Sequence, residues 1–452
     1  MSDRARRIVE EQGRSLREEG MLPSKVFNDD GIFEAELRQI FGRHWVFVGH
    51  ESEIPEPGDY AQRRIGRDPF IFVRGEDGEV RVLFDSCSHH GSKLCRAEQG
   101  NTSHFRCPYH GWTFKNTGDL AGVPLKHQAF KGLDPEEWGL HEAPRVTNYK
   151  GMVFACLRED APDFEEYLGD FAWYLDIQLE IGKGGMEVVG EPKRWIADSD
   201  WKSGADNFAA DSYHTGVTHR SALDVGFGAE EISGTAGQET HRHVTHVDAG
   251  STSLRLLHPD DEIYYGYPNE FVDTSSLSED QRRMAAACGA ETGTIFPNLS
   301  FIHVAATDDP DDDLAGYLAF RQWQPLEAGK MQAWSWILAP ADASDEYKQR
   351  AHDVGMATFA GPSGNFEQDD MAVWDGVSEA AGSVYAERHE FKLNYQMGRP
   401  GMSEAEIDED WYGPGLGWDD NLEEGTLRTF HGNWNKAMSG EEVGMSYPED
   451  HI

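Results

Sequence analysis

"CSHHGSKLC", residues 87–95, sets two histidines side by side between two cysteines. "CPYHGW", residues 107–112, follows about one hairpin later. Together they space Cys87 and His89 as C-x-H and Cys107 and His110 as C-x-x-H, with 17 residues between the pairs. Each pair mixes a thiolate donor with an imidazole. Zinc accepts two Cys and two His, although zinc fingers usually pair Cys with Cys and His with His. The mixed pairs suit an asymmetric two-iron cluster, in which thiolates hold one iron and imidazoles the other. Neutral imidazoles also raise the reduction potential relative to an all-cysteine cluster.

Outward from these loops, residues 44–160 alternate short β-rich runs ("PFIFVRG", "VRVLF", "KGMVFACL") with Gly, Asp and Pro turns. That pattern predicts a small antiparallel β domain. Residues 1–43 read as polar helices, and 161–452 mix helix and strand signals, as in "MQAWSWILAP" for a strand. The expected fold class is α+β: a small β domain, and a larger catalytic domain with an antiparallel sheet flanked by helices. The second domain joins 1–43 to 161–452.

The 452 residues exceed one ordinary core. With 38% hydrophobic residues, 13 Trp and 23 Phe, the chain can build a packed interior. Its formal charge is −41, from 81 acids against 40 bases, which argues against nucleic acid and against an anionic membrane surface as partners. So acidic a surface suits either ordinary solvation or a salt-rich cytoplasm, where screening removes the self-repulsion. Five cysteines (Cys87, Cys95, Cys107, Cys156, Cys288) do not make a disulfide framework. The charged first twenty residues lack the apolar run of a signal peptide or membrane span, so the expected location is cytoplasmic.

A second constellation lies in "DWKSGADNFAADSYHTGVTHR", residues 200–220. Asn207, Asp211 and His214 are spaced 4 and 3, which places them on one face of a continuous helix. His214 and His219 are five apart, so sharing a metal requires a break, and Gly216 permits one. A carboxylate would complete a 2-His-1-carboxylate site with open positions. "GPSGNFEQDDMAVW" offers Asp369 or Asp370, and only one can face the metal. Asp370 shares a helical stripe with Phe366 and Trp374.

C-x-H-x17-C-x-x-H continuing as "CPYHGWTF" resembles the Rieske [2Fe–2S] motif. With D-x-Y-H-x4-H and F-E-Q-D-D, nearly the whole chain resembles the α subunit of a Rieske non-haem iron ring-hydroxylating oxygenase. The resemblance implies that Cys87, His89, Cys107 and His110 hold the cluster. It implies that His214, His219 and Asp370 bind a mononuclear Fe(II). Asp211 matches the carboxylate that links His110 of one subunit to His214 of its neighbour, with Asn207 beside it. Phe208, Ser212, Thr215, Leu223 and Phe366 match the substrate pocket. Ser212 and Thr215 are read as bonding back to helix carbonyls, or as partners for a polar substituent. His90 stands where the family usually carries arginine.

The implied reaction joins O2, two electrons and an aromatic small molecule, with cis-dihydroxylation of the ring favoured by "FEQDD". Monooxygenation (hydroxylation or demethylation) is the alternative, and an electron carrier without oxygen chemistry is a third reading. No stretch reads as a nicotinamide or flavin phosphate loop, so electrons come from a separate reductase, directly or through a ferredoxin. Such subunits form homotrimers, with or without a small β subunit.

Overall fold

Two units build the chain, Phe41–Ala161 and Met1–Ile40 with Pro162–Ile452. The computed structural model describes residues 1–226, 241–245, 248–256, 262–402, 405–419 and 422–443.

The Phe41–Ala161 unit holds three antiparallel sheets, of three, four and three strands. The apolar run Phe70–Val73 sits in strand Asp68–Arg74 between Asp59–Ile65 and Val80–Phe84, and is buried throughout. Such a run fits a strand covered on both faces. The smallest sheet is His104–Arg106, Thr113–Lys115 and Leu120–Gly122. Its first hairpin pairs Arg106 with Thr113 and projects the Cys107–Trp112 loop. The Cys87 loop follows the strand ending at Phe84.

The other unit is organised by a nine-stranded antiparallel sheet. Its central strands are β1 (Gly250–Leu256), β2 (Cys288–Ile295), β3 (Leu299–Ala306), β4 (Ala315–Glu327) and β5 (Lys330–Pro340), paired in sequence order. Helices α1 (Asp3–Glu19) and α2 (Asp30–Gln39) belong to this unit, with side chains of Ser2 and Asp29 capping their free amides. Helix α3 (Trp201–Phe208) is capped by Asp200. It packs on the face of the sheet that carries Thr294, Ser300 and Trp323: Thr294 Oγ1 donates to the Ala205 carbonyl at 2.8 Å. Gly204 allows this closeness, since a Cβ there would lie 2.5 Å from the Trp323 ring. Lys202 is fully buried between Glu36 and Asp200, each at 2.6 Å, and ties α3 to α2.

Helix α4 (Glu367–Gly382) carries Glu367, Asp369 and Asp370 in its first turn, where acids complement the helix dipole. Phe366, Asp370 and Trp374 are all buried, as their shared stripe requires.

The α+β class is as expected, but the continuous helix through His214 is not. Helix α3 ends at Phe208, and Ala210 adopts a left-handed conformation (φ 87°). The chain re-enters helix only at Thr215–Thr218, with Gly216 inside that turn. The break therefore precedes His214 and does not fall at Gly216. Asn207, Asp211 and His214 meet across a reversal of the chain.

Candidate metal centres

In the Phe41–Ala161 unit, two similar turns present the four donors. Gly91 N–H closes on the Cys87 carbonyl at 2.8 Å, and Gly111 N–H on the Cys107 carbonyl at 3.1 Å. Both glycines have positive φ (73° and 74°), which most side chains disfavour. The Cys87 and Cys107 thiols are buried and adjacent. The His89 and His110 rings lie 4.6 Å apart. Trp112 is buried and stacks flat on His89 at 4.7 Å, so it covers the imidazole from the core side. His90 is exposed, with its ring 4.0 Å from His89 and 5.0 Å from His110. Cys95 is buried in the core below.

These donors fit a two-thiolate, two-imidazole cluster. Burial pushes the Cys87 thiol above its ordinary pKa, so a thiolate there needs a cation. Burial, with His90 and His110 alongside, lowers the His89 pKa and keeps that ring neutral, as ligation requires. His89 Nδ1 is buried without a hydrogen-bond partner.

In the larger unit, His214, His219 and Asp370 each offer one ligand atom, and all three lie within 4.8 Å of one another. Asp370 Oδ1 is 3.2 Å from His219 Nε2 and 3.5 Å from His214 Nε2. Asp370 Oδ1 makes no hydrogen bond, so a buried carboxylate oxygen faces two imidazole nitrogens around an open centre. Behind His214, its Nδ1 meets Asp211 Oδ2 at 3.4 Å and also the Asp211 carbonyl. Asn207 Nδ2 lies 3.5 Å from the same ring. Burial lowers the His214 pKa, but Asp211 and Asp370 outweigh it and raise it to about 9. The site favours positive charge, and its donor set fits a divalent iron.

Apolar side chains border it. Leu223 and Phe366 pack together with Ala222 and Phe359, and Phe359 stacks on Phe366 at 4.4 Å. Phe366 meets His219 edge-on at 5.3 Å. Phe208 stands apart from that cluster, packed on Trp323 at 5.5 Å. The Ser212 hydroxyl does not bond back to a helix carbonyl: it pairs with Ser253 of β1 at 2.8 Å, because the reversal at Ala210 turns it toward the sheet. Thr215 opens the short helix and is half-buried.

Sequence reasoning missed Phe359 and the pair formed by Arg321 and Glu367. Arg321 is fully buried on β4, donates to Glu367 at 2.6 Å and to the Phe359 carbonyl, and stacks over Trp195 and Trp323. It holds the start of α4 and the Phe359 loop together. Partners 46 residues apart leave no periodic trace.

Comparison with known proteins decides the family. The Rieske [2Fe-2S] domain matches residues 44–148, and the ring hydroxylating alpha subunit (catalytic domain) matches residues 164–440. The chain belongs to the ring-hydroxylating alpha-subunit family. It is similar to the alpha subunit of an N,N-dimethyl phenylurea N-demethylase from Sphingobium sp. (36% identity, 94% of this chain and 93% of that protein). The alpha subunit of biphenyl 2,3-dioxygenase from Rhodococcus jostii is 32% identical over 84% of this chain and 82% of its own length. Among solved structures, naphthalene 1,2-dioxygenase from Rhodococcus sp. superposes with a TM-score of 0.91 at 37% identity, covering 97% of this chain and 98% of its own.

As a ring-hydroxylating alpha subunit, the chain is an oxidoreductase that incorporates O2, with a Rieske [2Fe–2S] domain and a catalytic domain that binds mononuclear iron. The family works with reductase and ferredoxin partners and on aromatic substrates. Among the described residues, no helix is long and apolar enough to cross a membrane.

Proposed function

We propose that the chain is the terminal oxygenase that cis-dihydroxylates an aromatic substrate. The observation that carries this reading is an open group of two imidazoles and one carboxylate beside an apolar wall of Leu223, Phe359 and Phe366. In this reading His214, His219 and Asp370 hold the iron, and Cys87, His89, Cys107 and His110 hold the cluster. When bound, the iron supplies open positions for O2 and the cluster stores one electron. The stacked Phe359 and Phe366 rings orient a flat substrate and keep water from the reacting face. Phe208, Ser212 and Thr215 complete the pocket. Asp211 fixes the His214 ring and, in a homotrimer, accepts a second hydrogen bond from His110 of a neighbouring copy, with Asn207 supporting the same ring. A reductase, working through a ferredoxin, supplies two electrons. None of the five cysteines is in a disulfide, and with Cys87 and Cys107 given to the cluster the remaining three are buried thiols, which supports a reducing, cytoplasmic setting.

One observation favours a second reading. A relative at 36% identity is an N-demethylase subunit, and N-demethylation inserts one oxygen where ring dihydroxylation inserts two. Turnover under labelled O2 separates them. With the reductase and ferredoxin supplied, naphthalene, biphenyl and N,N-dimethyl phenylurea are offered in turn. A cis-diol carrying two labelled oxygens supports dioxygenation. Formaldehyde or a phenol with one labelled oxygen shifts the reading to monooxygenation. Cluster reduction without O2 uptake on any of them shows that none of the three is the substrate and turns the screen to other aromatics.

A further inference from the structure

Asp370 is the carboxylate that faces both imidazoles, which leaves its neighbour Asp369 without an assigned role. Residues adjacent on a helix point about 100° apart. The two acids at the start of α4 therefore straddle one ring, His219. Asp370 Oδ1 approaches its Nε2 at 3.2 Å, and Asp369 Oδ2 approaches its Nδ1 at 3.6 Å. His219 Nδ1 and Asp369 Oδ2 are both buried, and neither has a hydrogen-bond partner. One is a potential donor and the other an acceptor, and each is the nearest answer to the other's need. Asp369 keeps about a third of its side chain exposed (33%), so its carboxylate can rotate by the few tenths of an ångström that close the gap.

His214 shows the same construction on the other side, with Asp211 behind its Nδ1 at 3.4 Å and Asp370 before its Nε2. A metal-binding histidine usually donates its second N–H to a carboxylate or carbonyl, which fixes the tautomer and raises the basicity of the ligating nitrogen. From this matched geometry we propose that Asp369 is the positioning residue for His219. It accepts the Nδ1–H hydrogen bond, locks the ring with Nε2 toward the metal, and strengthens the site's hold on a divalent cation. The two histidines thus have separate carboxylate supports. Asp211 is shared with electron delivery, and Asp369 is local to the site.

The inference rests on His214, His219 and Asp370 as the metal ligands, and the test separates the two claims. The full chain is stripped of mononuclear iron with its cluster retained, then titrated with Co(II) and, anaerobically, with Fe(II). Visible Co(II) bands report geometry, and cluster absorption reports an intact fold. His219→Ala and Asp370→Ala should abolish tight binding; wild-type binding in both overturns the metal assignment itself. If they do lose the metal, Asp369→Leu should bind about 10- to 100-fold more weakly with shifted Co(II) bands. Asp369→Asn, which keeps an acceptor oxygen, should fall between Leu and wild type. Wild-type affinity and unshifted bands in both Asp369 variants overturn the role proposed for Asp369 alone. If the leucine variant does not fold, the asparagine variant decides: unchanged affinity and bands reject the proposal.

Discussion

Asp211 and Glu291 are both acids, yet their surroundings set opposite tasks. Asp211 is partly exposed and faces His214, where a charge is useful. Asp211→Ala should leave cluster absorption unchanged, weaken the hold on mononuclear iron, and abolish turnover even in protein reloaded with iron, as read by metal analysis beside product formation. Normal turnover would remove Asp211 from electron transfer. Glu291 on β2 is wholly buried, and burial pushes its pKa from 4.5 to about 7. Its hydrogen bonds favour the carboxylate, but burial outweighs them. The Thr252 hydroxyl donates toward Glu291 Oε1 at 2.9 Å and toward the Thr292 carbonyl at 2.7 Å, so one proton is shared between two acceptors. Tyr265 and Gln178 donate to Oε2. The folded state binds this proton more tightly than the unfolded state. Its stabilisation is therefore full below pH 4.5 and lost as pH rises through about 7. A glutamine in its place would mimic the protonated form. Glu291→Gln should unfold later than wild type above pH 7, by on the order of 2 kcal/mol in urea titrations. The gap should close below pH 4.5.

At the scale of elements, legibility followed periodicity. The stripe of Phe366, Asp370 and Trp374 was visible because α4 is a regular helix with one buried face. The turns at Gly91 and Gly111 were visible because glycine advertises them. The reversal at Ala210 was not, since nothing in an alanine signals a left-handed residue, and the nearby Gly216 drew the expected break instead. The clamp from β4 to α4 was also hidden. Arg321→Met would strand the Glu367 carboxylate in full burial and should cost roughly 3–5 kcal/mol. Adding Glu367→Gln should recover part of that loss, and a double-mutant cycle in chemical denaturation measures the coupling. Additive losses would show that the pair does not act as a unit.

For the molecule as a whole, charge sets the response to solvent. With 81 acids against 40 bases, added salt screens repulsion more than it weakens ion pairs. Melting temperature should rise steadily from low to molar potassium chloride; a flat profile would show that the acids are merely solvated. Charge and fold class could be read from composition and pattern. The pairing of Ser212 with Ser253 could not, because it depends on where the chain turns back onto the sheet. That sheet also divides the unit's chemistry by parity. Along β2, Thr292 and Thr294 share the face under α3, while Glu291 points to the other face, toward Gln178. Odd and even positions of one strand thus meet different surroundings, α3 on one face and the buried polar group around Glu291 on the other. On the α3 side Thr294, Ser300 and Trp323 seat the helix, while Ser253 is tied to Ser212 through one hydroxyl pair. A library at Ser253 and Thr292 should give folded proteins with altered selectivity, whereas the same diversity at Glu291 and His303 should give few folded proteins at all. The sheet thus offers neighbouring positions of unlike tolerance, one reaching the site through Ser212 and the next committed to the interior.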